Sequence, residues 1–180
     1  MARVRDVGPH EVPANVRGCY ERFAGGYGPF RDQVGVFAHV PCSVQHLMGM
    51  LLELREQKNV PFRYVEIAVV AVSKLNECHY CVGHHKPLLV IEGISPQGVD
   101  SVLEYAAHPE FDEIDRLVVE YAIAVSNAPQ RIRDVVFVRL RRHFSEAQIV
   151  ELTLRIALCG FFNRFNDALQ VDGEAHAPIG

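Results

Sequence analysis

The segment YVEIAVVAVSKL, Tyr64 to Leu75, constrains the fold more than any other stretch of the chain. From Val65 on, its apolar residues cover nearly the whole circumference of a helix, and Ile149 to Phe162 repeats that condition. Both helices must therefore lie in an interior or at a subunit contact. Left exposed, either would form a large sticky surface. Elsewhere the apolar spacing is helical almost throughout, with no convincing period-2 strand, no hairpin signal and no low-complexity linker. The expectation is an all-α helical bundle of about seven or eight helices that assembles as a homo-oligomer.

Local signals place the elements. Pro41 stands where a first helical turn accepts proline, followed by apolar Val44, Leu47, Met48, Leu51 and Leu54. Pro61 opens the central apolar helix, which stops near Asn76, and the next helix runs from about Cys78 to Gly93. Ser95 caps a following segment, Pro109 is read as opening another that halts at Pro129, and Ser145 with Gln148 forms a capping-box pattern. Residues 1–40, with Gly25, Gly26, Gly28 and Pro9, Pro13, Pro29, are read as an N-terminal arm with a short helix. Residues 41–170 form the helical domain, and 171–180 a loose tail.

Charge narrows the function. A net charge of -4 over 180 residues, with no dense basic block, argues against nucleic acid as a partner. The arginines of Arg131 to Phe144 fall at helical spacing, as on a solvated or subunit-facing helix side. No run approaches the ~18 apolar residues of a membrane span, so no membrane partner is expected. The N-terminus lacks the apolar core of a secretory signal, and the expected compartment is the cytoplasm. In a reducing compartment a C-x-x-C pair is more often catalytic or metal-binding than a structural staple. An odd count of five cysteines agrees.

That pair lies in LNECHYCVGHH, Leu75 to His85. Zinc would have Cys78, Cys81, His84 and His85 as nominal ligands, but the adjacent histidines project about 100° apart on a helix and close a tetrahedron poorly. A c-type haem would need His directly after Cys81, where Val82 stands. A redox centre uses more of the residues. A helix start at Cys78 offers unpaired N–H groups that stabilise a thiolate, and Cys81 follows one turn later. His85, four residues beyond Cys81, is offset by only about 40° around the axis. Tyr80 can donate a hydrogen bond into the site, and His79 is expected in solvent. Glu66, the single acid of the apolar segment, would be costly to bury unless paired. With the two helices antiparallel through Asn76–Glu77, it would point at the dithiol helix and hold His85 as a base.

Glu66, eleven residues, Cys78-His79-Tyr80-Cys81, three residues, His85: this pattern resembles the signature of the alkylhydroperoxidase D-like (AhpD-like) group in the carboxymuconolactone decarboxylase superfamily. The resemblance extends from about Pro41 to Asp167 and includes the closing SEAQIVELTLRIALCGFFNRFNDAL. It implies an AhpD-like all-helical fold assembling into trimers or hexamers, and thiol peroxidase activity on organic hydroperoxides with no cofactor and no metal. It implies that Glu66 acts through His85 to deprotonate Cys81, that Cys81 attacks the peroxide, and that Cys78 resolves the sulfenic acid as a disulfide. Tyr80 would tune the site. A dithiol reductant such as a lipoyl carrier or a thioredoxin-like protein would restore the thiols. Two other activities stay open: dithiol–disulfide exchange without peroxide, and the lyase reaction of the superfamily's decarboxylases. His84, His143 and the aromatic Phe161 to Asp167 are further candidates to line a site, although Phe161 and Phe165 read more simply as core. Cys42 and Cys159 are expected to be buried, and Cys19 is unassigned.

Overall fold

The structure, a computed structural model, describes residues 2–26 and 30–171. Among these residues the only regular elements are helices, eight of them α-helices of seven residues or more. No described helix is long and apolar enough to cross a membrane. The described residues divide into two compact units, those up to Lys58 together with Asn166 to Val171, and Asn59 to Phe165.

The first unit holds α1 (Ala14–Gly26), α2 (Arg31–Phe37), α3 (Pro41–Ser43) and α4 (Gly49–Gln57). A π-helical turn, Val44–Met48, joins the last two. Helix α1 buries Val16, Tyr20 and Phe23, spaced as one helical face. The Cys19 thiol donates to the Val44 carbonyl at 3.1 Å. Cys42 is exposed, against expectation. It stands two residues before buried Val44, about 200° away around a helix, and so faces outward. Val171 is buried and its N–H donates to the Asn166 carbonyl at 3.0 Å. The rest of the expected tail lies outside the described residues, as do Gly28 and Pro29.

The second unit contains α5 (Phe62–Leu75), α6 (His79–Ile91), α7 (Pro96–Asp100), α8 (Glu113–Asn127), α9 (Asp134–Leu140) and most of α10 (Glu146–Leu169). Helix α5 is central: every residue from Val65 to Ser73 is buried, and it packs on both α6 and α8. Ile67 and Val70 of α5 share one core with Leu117 and Val118 of α8 and Leu152 and Ile156 of α10. Ser145 and Gln148 cap α10 reciprocally, and the Ser95 hydroxyl accepts from the Gly98 N–H at 3.0 Å.

The start of α8 and the two phenylalanines Phe161 and Phe165 depart from the sequence reading. Helix α8 starts at Glu113 rather than at Pro109, because Asp112 accepts from the Ile114 and Asp115 N–H groups while Asp115 reaches back to the Asp112 N–H. This capping box satisfies donors that a proline start leaves open. Phe161 is 46% exposed and Phe165 half-buried. The core side of α10 runs through Leu152, Ile156, Cys159 and Asn163, and Phe161 lies about 200° from the last two. Arg131, Arg133, Arg141 and Arg142 are exposed, whereas Arg139 pairs with Glu120 at 2.7 Å.

A pairing that crosses 52 residues locks the unit. Arg63, in the first turn of α5, grips Asp115 with two parallel bonds, Nε to Oδ1 at 3.0 Å and Nη2 to Oδ2 at 2.6 Å. Its Nη1 donates to the Glu92 carbonyl at the end of α6, at 2.6 Å. One guanidinium thus ties α5, α6 and α8 together.

Candidate active site

The junction of α5 and α6 positions the dithiol. Asn76 ends α5, and Glu77 follows in the left-handed region at φ 56°. The Cys78 N–H donates to the Ser73 carbonyl at 2.9 Å and the Glu77 N–H to the Lys74 carbonyl at 3.1 Å. These are the two bonds of a Schellman motif. Cys78 then becomes the N-cap of α6, with its carbonyl accepting from the Val82 N–H at 3.0 Å. No loop intervenes, so the first cysteine is set by both helices at once. The end of α6 repeats the motif with Gly93, at φ 92°, in the left-handed place.

Cys78 and Cys81 are both buried, at the N-cap and in the first turn of α6, where helix N–H groups have no intrahelical partner. Glu66, on the neighbouring α5, is 2% exposed. Its Oε2 lies 2.8 Å from Nδ1 of His85. With the Nδ1 proton donated to the carboxylate, the lone pair of a neutral imidazole is on Nε2. His85 stands one helical turn beyond Cys81 on α6. Tyr80 is buried, and its ring stacks on His84 at 4.0 Å between centroids. His84 turns inward and donates from Nδ1 to the Tyr80 carbonyl at 2.7 Å. His79 and His143 are exposed. Among the described residues no three His, Cys, Asp or Glu side chains converge as a metal site would need.

Sequence reasoning missed a polar chain beneath the turn. The Asn76 amide donates to Asn163 Oδ1 at 2.8 Å, and Asn163 Nδ2 donates to Ser73 Oγ at 3.3 Å. Ser73 Oγ is 3.3 Å from Cys159 Sγ, which is 3.4 Å from the Val69 carbonyl. Burial pushes the Cys159 thiol up to about 12 against the pull of the Ser73 hydrogen bond, and the neighbouring Cys78 and Glu66 push in the same direction as burial. Burial thus favours the protonated thiol, which is hydrogen-bonded within the core. The available signal was Ser73, a polar residue directly after the apolar run Ile67 to Val72.

The fold defines the class: this is an all-helical protein with the alkylhydroperoxidase D (AhpD) core fold. An uncharacterized peroxidase-related protein of Ralstonia eutropha JMP134, described as an AhpD core, superposes with a TM-score of 0.82 at 22% identity, covering 97% of this chain and 93% of the other. The debrominase Bmp8, as a cysteine-to-alanine variant in complex with 2,3,4-tribromopyrrole, gives 0.74 at 22% identity over 96% and 91%. In sequence, the uncharacterized protein YnjA of Escherichia coli K12 is 26% identical over 155 residues, 85% of each chain. No family model matches the chain.

Proposed function

We propose that the protein is a thiol peroxidase that reduces organic hydroperoxides through Cys78 and Cys81. The observation that carries this reading is the Glu66–His85 bond of 2.8 Å, made in a buried setting one helical turn from Cys81. His85 Nε2 takes the Cys81 proton, directly or through one water, while Glu66 holds the imidazole in orientation and balances the imidazolium. The Cys81 thiolate attacks the terminal peroxide oxygen, the O–O bond breaks, and the leaving alkoxide takes a proton from His85 to depart as alcohol. Cys78 then attacks the sulfur of the resulting sulfenic acid, the S–O bond breaks and water leaves, giving the disulfide. Tyr80, which lies between the two cysteines in sequence and stacks on His84, tunes the site. A dithiol reductant such as a lipoyl carrier or a thioredoxin-like protein returns two electrons and two protons by exchange.

Homo-oligomerisation belongs to the same reading. Val150 and Phe161 are 67% and 46% exposed on α10, with half-buried Leu154 and Leu158 at the same helical spacing. Such a stripe favours a covering copy of the chain.

The test mixes fully reduced protein with one equivalent of an organic hydroperoxide and counts thiols by mass spectrometry. Rapid loss of two thiols, with a Cys78–Cys81 bridge, is expected. Cys81→Ser abolishes turnover, and Cys78→Ser leaves a sulfenic acid that a dimedone-type reagent traps. Loss at the rate of an ordinary thiol would refute the peroxidase reading and move the site to disulfide exchange or to lyase chemistry. The coverage shared with a debrominase favours one second reading. The same thiolate could accept bromine from a bromopyrrole, the carbanion taking a proton and Cys78 displacing bromide to close the disulfide. A bromopyrrole offered beside the hydroperoxide decides between them.

A further inference from the structure

The polar chain beneath the dithiol turn is placed where it bears on the chemistry just proposed, on which this inference rests. Asn163 is fully buried on the core side of α10, one helical turn beyond Cys159. Both ends of its amide are engaged with the final turn of α5: Oδ1 accepts from Asn76, the residue ending that helix, and Nδ2 donates to Ser73. Ser73 is also the residue whose carbonyl receives the Cys78 N–H. The donors run in one direction, from Asn76 to Asn163 to Ser73, with the Ser73 hydroxyl able to continue to Cys159 and the Cys159 thiol to the Val69 carbonyl. Each member is then satisfied, and each bond polarises the next.

We propose that Asn163 is a positioning residue for the dithiol. It holds the α5–α6 turn so that Cys78 stays at the N-cap of α6, poised over Cys81. A turn held in one geometry gives Cys78 a high effective concentration toward the sulfur of Cys81, which both speeds closure of the disulfide and stabilises it. Released from Asn163, the turn samples other positions and that concentration falls. The cost at the turn is what leaving one buried hydrogen bond unmade amounts to, about tenfold in an equilibrium constant.

The experiment compares Asn163→Leu, which removes the bonds with little change of volume, and Asn76→Ala, which cuts the network at its half-buried end. Leu152→Ala, a core deletion elsewhere on the same helix, controls for loss of stability. Two readouts are taken on each full-length protein. The first is hydrogen exchange at the Glu77 and Cys78 amides. The second is the equilibrium of the Cys78–Cys81 disulfide with dithiothreitol, in which two electrons and two protons pass from the small dithiol to the protein. Both network variants are expected to exchange about tenfold faster at the turn. They should also favour the reduced form about tenfold, a rise of about 30 mV in potential. Asn76→Ala keeps the test open if Asn163→Leu does not fold. Faster exchange with an unmoved equilibrium would make Asn163 structural only and overturn the proposal, as would changes matching those of Leu152→Ala. Failure of the wild type to form the bridge in the redox buffer would instead sink the dithiol reading itself. In that case the exchange rates still decide whether Asn163 holds the turn.

Discussion

Replacing Arg63 by methionine tests the pairing on which the second unit depends. Asp115 is 0% exposed, and the guanidinium supplies two of the three hydrogen bonds seen at its carboxylate, the third coming from the Asp112 N–H at 3.2 Å. Methionine fills much of the same volume but leaves an uncompensated buried carboxylate. Breaking a buried pair from one side costs about 3–5 kcal/mol. The Arg63 side chain is 26% exposed, so water reaches the vacated site and the lower figure, about 3 kcal/mol, applies. For a domain of this size that is a fall of roughly 6–12 °C in Tm. The assay is urea unfolding followed by circular dichroism, together with a double-mutant cycle through Asp115→Asn. If the carboxylate's burial is the cause, the double variant recovers a large part of the loss, because no stranded charge remains. A loss below about 1 kcal/mol, or strictly additive single variants, would refute the reasoning. Arg63→Lys should fall between, since an ammonium keeps the charge but not the fork.

Two further outcomes follow from the backbone and from the acids. Glu77 holds a left-handed φ of 56° that glycine adopts freely, so Glu77→Gly should raise stability by about 1 kcal/mol in thermal melts. Unchanged or lower stability would show that the Glu77 side chain compensates its own strain. Hydrogen bonds from the Ser95 hydroxyl and N–H, each 2.6 Å, hold the Glu110 carboxyl below its ordinary value of 4.5. Because the folded value is depressed, the stabilisation is present above 4.5 and is lost as pH falls through the lower folded value. Glu110→Gln should therefore flatten the acid limb of Tm against pH, and identical limbs in the two proteins would refute the assignment.

Much of this was legible from local pattern. The apolar circumference of Val65 to Leu75 required a buried central helix, and α5 is one. Ser95 and the Ser145–Gln148 pair act within three residues, the range over which a side chain can cap its own helix. Glu66 could be matched to His85 because a single short turn separates their helices. Where two local signals competed, the stronger chemistry prevailed: at α8 the Asp112–Asp115 box satisfies donors that Pro109 would not. What could not be read needs the third dimension. Arg63 meets Asp115 across 52 residues, and Asn163 meets Ser73 across 90. Phe161 looked like core because an apolar helix does not announce which of its sides a partner helix covers. Cys42 looked buried for the same reason.

The junction at Cys78 has a consequence for how this chain can vary. One residue terminates α5 through its N–H and initiates α6 through its carbonyl, so the linker has no slack. An inserted or deleted residue at Asn76–Glu77 would turn α6 by about 100° and slide it about 1.5 Å along its axis. His85 would swing away from Glu66 while both helices remained intact. A substitution there leaves the register of α6 intact; a change in length does not. The two-residue spacing acts as a gauge, and descendants of this chain that keep the chemistry would keep the gauge.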